Sequence, residues 1–353
     1  MAGGLPRPRG ILRAGQGSGA MTPALVLEDL WVEAGPTDDP LVLVRGVDLT
    51  VGAGTVVGLV GESGSGKTVT CMSALGLAGR GVRITRGSVR AQGTELVGAD
   101  EATMRRVRGG VVGTVFQDPL ISLNPLQRIG DQIAEALVLH RGGRRRAHRD
   151  RVISLLARVG IPAPEERVRA YPHELSGGLR QRVAIAMAIA NDPAVLVADE
   201  PTTALDVTVQ AQVLDVVRTA TRDEGRAALI VTHDLGLVAE VADRVAVMYA
   251  GQIVEEGPVG SVFAAPQHPY TQGLLASRPV LAPGRRRLHA MPGRPPLPGA
   301  WPSGCAFAAR CSNVDEACTD PPPVHQGDDG WARCWRPADE GPPDRTEAQK
   351  GAA

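Results

Sequence analysis

Two short stretches of this 353-residue chain carry the residue types that phosphate chemistry needs. The run Gly61-Glu62-Ser63-Gly64-Ser65-Gly66-Lys67-Thr68 fits GxxxxGK[ST] between a β-branched stretch and a helical one. Its glycines let successive backbone N–H groups close around phosphate oxygens, and the helix that follows adds its positive pole. Lys67 is one of only two lysines among 38 basic residues, which points to a need for a compact charge at the β and γ phosphates. The Thr68 hydroxyl is a ligand for Mg²⁺. In the second stretch, Val195-Leu-Val-Ala-Asp199-Glu200, an apolar strand ends in two carboxylates. Asp199 would organise Mg²⁺ and its water; Glu200, one residue on and pointing differently, would polarise the water that attacks the γ-phosphate.

A third stretch, Leu175-Ser176-Gly177-Gly178-Leu179-Arg180-Gln181, opens a well-formed helix with Ser176 as its natural N-cap. That makes a second anion-binding helix start. One economical reading of Lys67 and Ser176, so far apart in sequence, is that each chain carries half of two composite sites. Two chains facing head to tail would then sandwich ATP.

The elements that must position these residues alternate. Runs at Leu25 to Val32, Leu41 to Leu49 and Thr55 to Val60 predict strands, and Thr68 to Leu77 predicts a helix. From Asp118 to about Ser176 helical periodicity dominates, as in Ile129 to Leu139 and Arg151 to Val159. A helix over Val183 to Ala190, strands at Val195 to Ala198 and Ala228 to Thr232, and a helix over Val207 to Thr219 follow. This order argues an α/β fold with a mainly parallel sheet. Beyond Ser277, seven prolines from Pro279 to Pro302 interrupt any period, which predicts a linker or irregular module outside the sheet. The expected organisation is a disordered leader over 1–22, a nucleotide-binding domain over 23–277 with a helical part at about 118–180, a proline-rich and cysteine-bearing segment over 278–335, and a disordered tail over 336–353.

Composition excludes other classes. With 38 acidic and 38 basic residues, no global field holds nucleic acid, and no nucleic-acid partner is expected. The arginine-rich run from Arg141 to Arg151 lacks interleaved aromatics and reads as a solvated surface. The longest apolar run, Val183 to Ala190, falls far short of the roughly 20 residues a membrane span requires. No secretory apolar core opens the chain, so an intracellular setting is expected, where the five cysteines are core residues or ligands rather than disulfide partners.

Taken with Gln117, the signature at Ser176 to Gln181, Ala204-Leu205-Asp206 and His233, these motifs resemble the ATP-binding cassette (ABC) ATPases in order and spacing over about Leu25 to Ser277. The resemblance implies a P-loop ABC-type nucleotide-binding domain, a RecA-like mixed sheet core with an α-helical subdomain. It implies ATP and Mg²⁺ as cofactors, Gln117 touching Mg²⁺ and the attacking water, and His233 contacting the γ-phosphate. One element departs from the pattern: Ala34 stands where the family usually stacks an aromatic on adenine, and Trp31, an odd number of residues away, would face the other side of a regular strand.

Within the family, the stretch between Thr68 and Ser176 is too short for the coiled coil of chromosome-maintenance relatives, and the single cassette excludes two-cassette translation and repair relatives. The finer resemblance is to the ATP-binding subunits of oligopeptide and dipeptide importers. It rests on Phe116-Gln-Asp-Pro-Leu-Ile-Ser-Leu-Asn-Pro125, Asp199-Glu-Pro-Thr-Thr-Ala-Leu-Asp-Val-Thr-Val-Gln210, His268-Pro-Tyr-Thr271 and Pro302-Ser-Gly-Cys305-Ala-Phe307 with Arg310-Cys311, and so extends to Trp335. It implies two transmembrane permease subunits, an extracytoplasmic substrate-binding protein, a homologous ATPase subunit in a heterodimer, and a peripheral place on the cytoplasmic face of the membrane. The segment from Gln117 through Asn124 and Ile129 would cradle a coupling helix of the channel. The alternatives are a nickel or other small-solute importer of the same subfamily, or a soluble ABC ATPase outside transport.

Cys305, Cys311, Cys318 and Cys334 are spaced for a four-thiolate site, and zinc or a [4Fe-4S] cluster both take four thiolates. The tight CxxC pairs usual for zinc are missing; importer ATPases with this spacing are associated with an iron–sulfur cluster, which the resemblance therefore implies, with Zn²⁺ or no metal as the alternatives. Cys71 reads as a small core residue.

Overall fold

In a computed structural model, which describes residues 23–202, 207–219, 221, 225–277 and 291–338, the apolar runs become strands and the periodic stretches helices. The expected leader, the Ala204-Leu205-Asp206 motif, residues 278–290 and the tail beyond 338 lie outside the described residues. In chain order the first elements are β1 (Leu25–Ala34), β2 (Leu41–Val51), β3 (Val56–Val60), α1 (Lys67–Ala74), β4 (Val82–Ala91), β5 (Thr94–Glu95), α2 (Glu101–Val107) and β6 (Val112–Val115). The helical stretch holds α3 (Pro119–Ser122), α4 (Ile129–Arg141), α5 (Arg149–Arg158), α6 (Pro164–Arg167) and α7 (Gly177–Ala188). Then come β7 (Val195–Asp199), α8 (Val207–Arg218), β8 (Ala227–Thr232), α9 (Leu235–Val241), β9 (Arg244–Tyr249), β10 (Gln252–Pro258), α10 (Val259–Ala264), α11 (Pro269–Ala276), β11 (Val324–Gln326) and β12 (Trp331–Arg333).

The strands form two sheets. β2, β1, β4 and β5 make an antiparallel one; the other runs β11-β12-β10-β9-β3-β8-β7-β6, parallel from β9 to β6 and antiparallel from β9 outward to β11. Because side chains alternate along a strand, the parallel strands serve two cores at once. Val56, Val60, Ile230, Val245 and Val247 pack under the helical layer of α4, α5, α7, α8 and α9, whereas Val57, Leu59, Leu229, Val231 and Met248 face the antiparallel sheet and α1. All five residues of β3 are buried, each apolar side chain contributing about 1.5–3 kcal/mol relative to exposure. Cys71 lies in the second core, as a small apolar residue would.

One expectation needs correction. The segment after Ser277 was expected to stay outside the sheet, but β12 pairs with β10 through Glu255↔Ala332 and Glu256↔Trp331, and β11 extends the edge. Gly330 permits this approach, since a Cβ there would lie 2.4 Å from the Glu256 carbonyl oxygen. Strands of three residues are too short to show a period of two, so the pairing is fixed by contacts distant in sequence. Register shifts flank Trp31 in the pairing of β1 with β4, while burial still alternates from Leu30 to Glu33, and the indole donates to Asp29 Oδ1 at 2.9 Å with the Arg86 guanidinium over its ring.

Candidate nucleotide site

The loop from Gly61 to Gly66 crosses from β3 to α1 under tight steric control. At Gly61 (φ +157°) a Cβ would lie 2.2 Å from the Met248 carbonyl oxygen, and at Gly66 (φ +107°) it would meet Met248 Cε at 3.0 Å and Leu43 O at 3.2 Å. Glycine is therefore required where the loop passes between β9 and β2. Ser63 and Gly64 form the exposed tip, while Ser65 is buried and its carbonyl accepts from Gly251 N at 2.8 Å.

Lys67, 5% exposed, folds its ammonium against the loop, donating to Gly61 O (2.8 Å), Glu62 O (3.0 Å) and Ser65 Oγ (3.4 Å). Burial lowers its pKa, and the carboxylates of Glu200, Asp199 and Glu62 oppose that shift. Thr68 Oγ1 donates to Asp199 Oδ1 at 3.0 Å, so a hydroxyl and a carboxylate converge at the base of the loop, the oxygen pair that suits Mg²⁺. Asp199 is 3% exposed; burial raises its pKa against the pull of the Thr68 hydrogen bond.

Glu200 stands just beyond the end of β7 in the left-handed region (φ +45°), tied by its N–H to Val231 O at 2.8 Å. That backbone turns its carboxylate away from Asp199 and into a chain of polar groups. Gln117 Nε2 donates to Glu200 Oε2 at 3.2 Å, and His233 Nδ1 lies 3.1 Å from Glu200 Oε1. The tautomer with hydrogen on Nδ1 donates to the carboxylate and leaves Nε2 directed elsewhere. Residues from β6, β7 and β8 thus meet at one end of the parallel sheet, outside its carboxyl ends, where α/β folds place ligands.

Ser176 is the N-cap of α7, its Oγ accepting from Leu179 N at 3.4 Å; no side chain approaches the space a Cβ at Gly177 would take, and Gly178 is buried. The packing partners of α7 are α3, α4, α5, α8 and β6, so this second helix start belongs to the helical layer and is not gathered around Lys67 within the chain. The segment after Gln117 is braced by Gln132, which donates to Asn124 O and Gln127 O, and it leaves Leu126 at 87% exposure.

Glu62 behaves differently from the other loop residues. Its N–H donates to Tyr270 Oη at 2.8 Å and its carboxylate takes both ends of the Arg310 guanidinium at 2.8 and 2.9 Å, so neither is aimed at a phosphate. Arg310 also donates to Tyr249 Oη (3.3 Å) and Pro292 O (2.9 Å) and is almost wholly buried. Tyr249, Tyr270 and Phe307 cluster beside it, with ring centroids 4.5 to 5.4 Å apart. Sequence reasoning missed Arg310 and Tyr270 as parts of the site. Both lie inside the His268-Pro-Tyr-Thr271 and Arg310-Cys311 runs already noted, but nothing local in either run signals contact with a loop some two hundred residues away.

Cys305, Cys311, Cys318 and Cys334 line one small cavity together with His268, Phe307 and Trp335. Cys311 Sγ accepts from Asn313 N and Cys334 Sγ from Arg336 N, both at 3.3 Å. Burial pushes the Cys305 and Cys311 thiols up and that of Cys334 to about 11. Among the described residues no group of three or more His, Cys, Asp or Glu side chains is arranged to hold a metal ion, so the structure supports neither the iron–sulfur nor the zinc expectation. Arg141 and Arg151 pair with Asp192 and Arg145 with Glu135, in keeping with a solvated basic face.

Comparison with known proteins follows the same lines. Residues 44–203 match the ABC transporter family, and residues 254–318 match the oligopeptide/dipeptide transporter C-terminal region. A putative peptide import ATP-binding protein of Brucella ovis is 51% identical over 310 residues, covering 84% of this chain and 92% of the relative. The dipeptide transport ATP-binding protein DppD of Haemophilus influenzae is 44% identical over 317 residues, 90% and 96% of the two chains. The oligopeptide transport ATP-binding protein OppD of Mycobacterium tuberculosis is 52% identical over 301 residues, and there the chain matches only about half, 49%, of the relative. Among solved structures, a post-hydrolysis dimer of the ATP-binding cassette MJ0796 bound to ADP and Pi superposes with a TM-score of 0.60 at 26% identity, covering 67% of this chain and 98% of that one.

Proposed function

The chain belongs to the ATP-binding subunits of ABC transporters, in their peptide-import branch, and from that premise we propose how its residues divide the work of hydrolysing ATP to drive import. Gly61, Ser63, Gly64, Ser65 and Gly66 wrap the phosphates with their N–H groups, and Lys67 leaves the loop carbonyls to neutralise the β and γ phosphates. Thr68, Asp199 and Gln117 would hold Mg²⁺, which supplies charge neutralisation between those phosphates. Glu200 takes a proton from water as the water oxygen bonds to the γ-phosphorus and the bond to the bridging oxygen of ADP breaks. Gln117 orients that water, and His233, held at Nδ1 by the Glu200 carboxylate, contacts the γ-phosphate.

The observation that carries this reading is the Gln117–Glu200–His233 chain, in which hydrogen bonds at 3.2 and 3.1 Å aim one carboxylate between two polar groups at the mouth of the loop. Because Ser176, Gly177 and Gly178 are built onto the helical layer, each site is completed by the signature helix of a partner cassette facing head to tail. The partner in this reading is a homologous subunit in a heterodimer, docked on two permease subunits at the cytoplasmic face of the membrane and fed by an extracytoplasmic binding protein. The exposed Leu126 tip is the seat for the channel. No helix among the described residues is long and apolar enough to cross a membrane, which fits a peripheral subunit. The substrates are oligopeptides or dipeptides. Glu200→Gln keeps the side chain's size and one acceptor oxygen and removes the base: MgATP binding should persist while turnover falls on the order of 10²-fold or more, and hydrolysis at the wild-type rate would sink the assignment.

The division of the chain into a cassette over 23–277 and a cysteine-bearing segment over 278–335 is kept in this reading as a division of roles. The second segment holds a [4Fe-4S] cluster through Cys305, Cys311, Cys318 and Cys334. The reading rests on the four thiols sharing one cavity and on the N–H···S bonds at Cys311 and Cys334; a cluster offers a separate iron to each thiolate, so the four need not converge on one point. The cluster would supply structural cross-linking rather than electron transfer. Near four irons and four acid-labile sulfides per chain on anaerobically purified protein is the expected result; their absence would remove the cluster and leave the ATPase reading standing.

A further inference from the structure

The phosphate-binding loop does not hold its shape alone. Of its eight residues, Glu62 is fastened at three separate points, and two of the fastenings come from the far end of the chain. Its carbonyl accepts from Lys67 Nζ and from Ser65 N, inside the loop. Its N–H goes to Tyr270, and its carboxylate is clasped bidentately by Arg310, whose side chain is 5% exposed. Arg310 is itself locked: Nε donates to Pro292 O, Nη1 also donates to Tyr249 Oη, and the guanidinium lies over the Phe307 and Tyr249 rings at 5.8 Å. Planar, bidentate pairing of this kind fixes orientation as well as distance. The residue that receives this clasp is the same residue whose carbonyl receives the lysine of the phosphate site, and Arg310 adjoins Cys311 of the thiol-lined cavity.

We propose that Arg310 is a positioning residue for the nucleotide site: it holds Glu62, and through Glu62 the backbone N–H groups of the loop, in the form that binds phosphate, so that the cysteine-bearing segment sets the ATP affinity of the cassette. The coupling is reciprocal, because a segment that favours the binding form of the loop is itself favoured by bound nucleotide. The proposal rests on the reading that this loop binds ATP, and the test separates the two.

The measurement is the dissociation constant for MgATP, by titration calorimetry on the full chain, together with the melting temperature of each variant. Arg310→Met should weaken ATP binding about tenfold in protein that remains folded, Arg310→Lys should recover part of the loss by restoring charge without the fork, and Glu62→Gln should weaken binding on its own. Glu62→Gln added to Arg310→Met should cost little more, since the two changes break one contact. Arg310→Met and Glu62→Gln with wild-type affinity and only a lower melting temperature would make the clasp a structural brace and overturn the proposal. If Arg310→Met does not fold, the isosteric Glu62→Gln decides alone, by weakened or wild-type binding. Lys67→Ala is the control: wild-type chain no better than Lys67→Ala at binding MgATP would sink the nucleotide reading itself, whereas wild-type binding with an indifferent Glu62→Gln sinks only the clasp.

Discussion

The phosphate-binding loop and the cysteine-bearing segment meet at the Arg310–Glu62 ion pair, yet they acquire their shapes in opposite ways. The loop's path is written in its own glycines, since Gly61 and Gly66 allow backbone that a side chain would block, and Tyr270 and Arg310 then fasten it at Glu62. Among its described residues the segment has almost no regular structure of its own. Its strands are three residues long, its other turns are short 3₁₀ pieces, and Cys305 and Cys334 are held by backbone bonds to Cys318 O and Pro323 O. What gives it form is the cassette, through β10, through the aromatic cluster and through Glu62. The comparison teaches that a region without a core of its own can still belong to the cooperative unit, provided its few large apolar side chains are inserted into someone else's core.

The largest effect that tests this difference is the loss of Phe307. Its ring is 4% exposed, lies edge-on to Tyr249 at 5.3 Å, and belongs to the same core as β3 and β8. If the segment is part of the cooperative unit, Phe307→Ala should destabilise the whole protein by about 3–5 kcal/mol, on the scale of Leu59→Ala at the centre of the sheet. Calorimetry would show one transition moved to lower temperature. A main transition left in place, with a small separate one appearing below it, would break the comparison and make the segment an appendage.

How much of this was legible in sequence follows the same divide. The strands β1 and β2 are long, β3, β7 and β8 are apolar runs, and these strands and the helices α1, α4, α5, α7 and α8 appear where the sequence pattern puts them. Lys67, Thr68, Asp199, Glu200, Gln117 and His233 were legible because motif residues sit at the ends of those strands, and the parallel register then gathers the ends. Ser176 was legible as a cap but not as a neighbour of the loop, and the fold keeps it with the helical layer. The pairing of β12 with β10, the bulged register around Trp31 and the Arg310–Glu62 clasp were not legible. Each depends on residues that meet only once the sheet has formed, and three-residue strands or a lone arginine carry no local signal of where they will dock.

The smaller and sharper test concerns acid. His268 caps α11, its Nδ1 accepting from Tyr270 N at 3.0 Å, and the ring is buried beside Phe307, with Arg333 lining the neighbouring cavity. Burial chiefly, and Arg333 secondarily, pull its pKa to about 3, against an ordinary value near 6.5. A histidine whose folded pKa is depressed binds fewer protons than its unfolded form between those two values, so stability rises with pH there and is lost as pH falls below about 6.5. The slope from one such group approaches about 1.4 kcal/mol per pH unit. Glu255, whose carboxylate accepts from His268 N, and Glu256 on the same strand have pKa values raised by burial and act with the opposite sign. The informative quantity is therefore the difference between wild type and His268→Asn, which keeps a side-chain cap but cannot titrate. Denaturant midpoints should show the two chains tracking each other above pH 7 and the wild type losing more stability between pH 6.5 and 5. Parallel profiles throughout would mean that the ring is hydrated in solution, and that the aromatic seam joining the segment to the cassette is looser than its contacts imply.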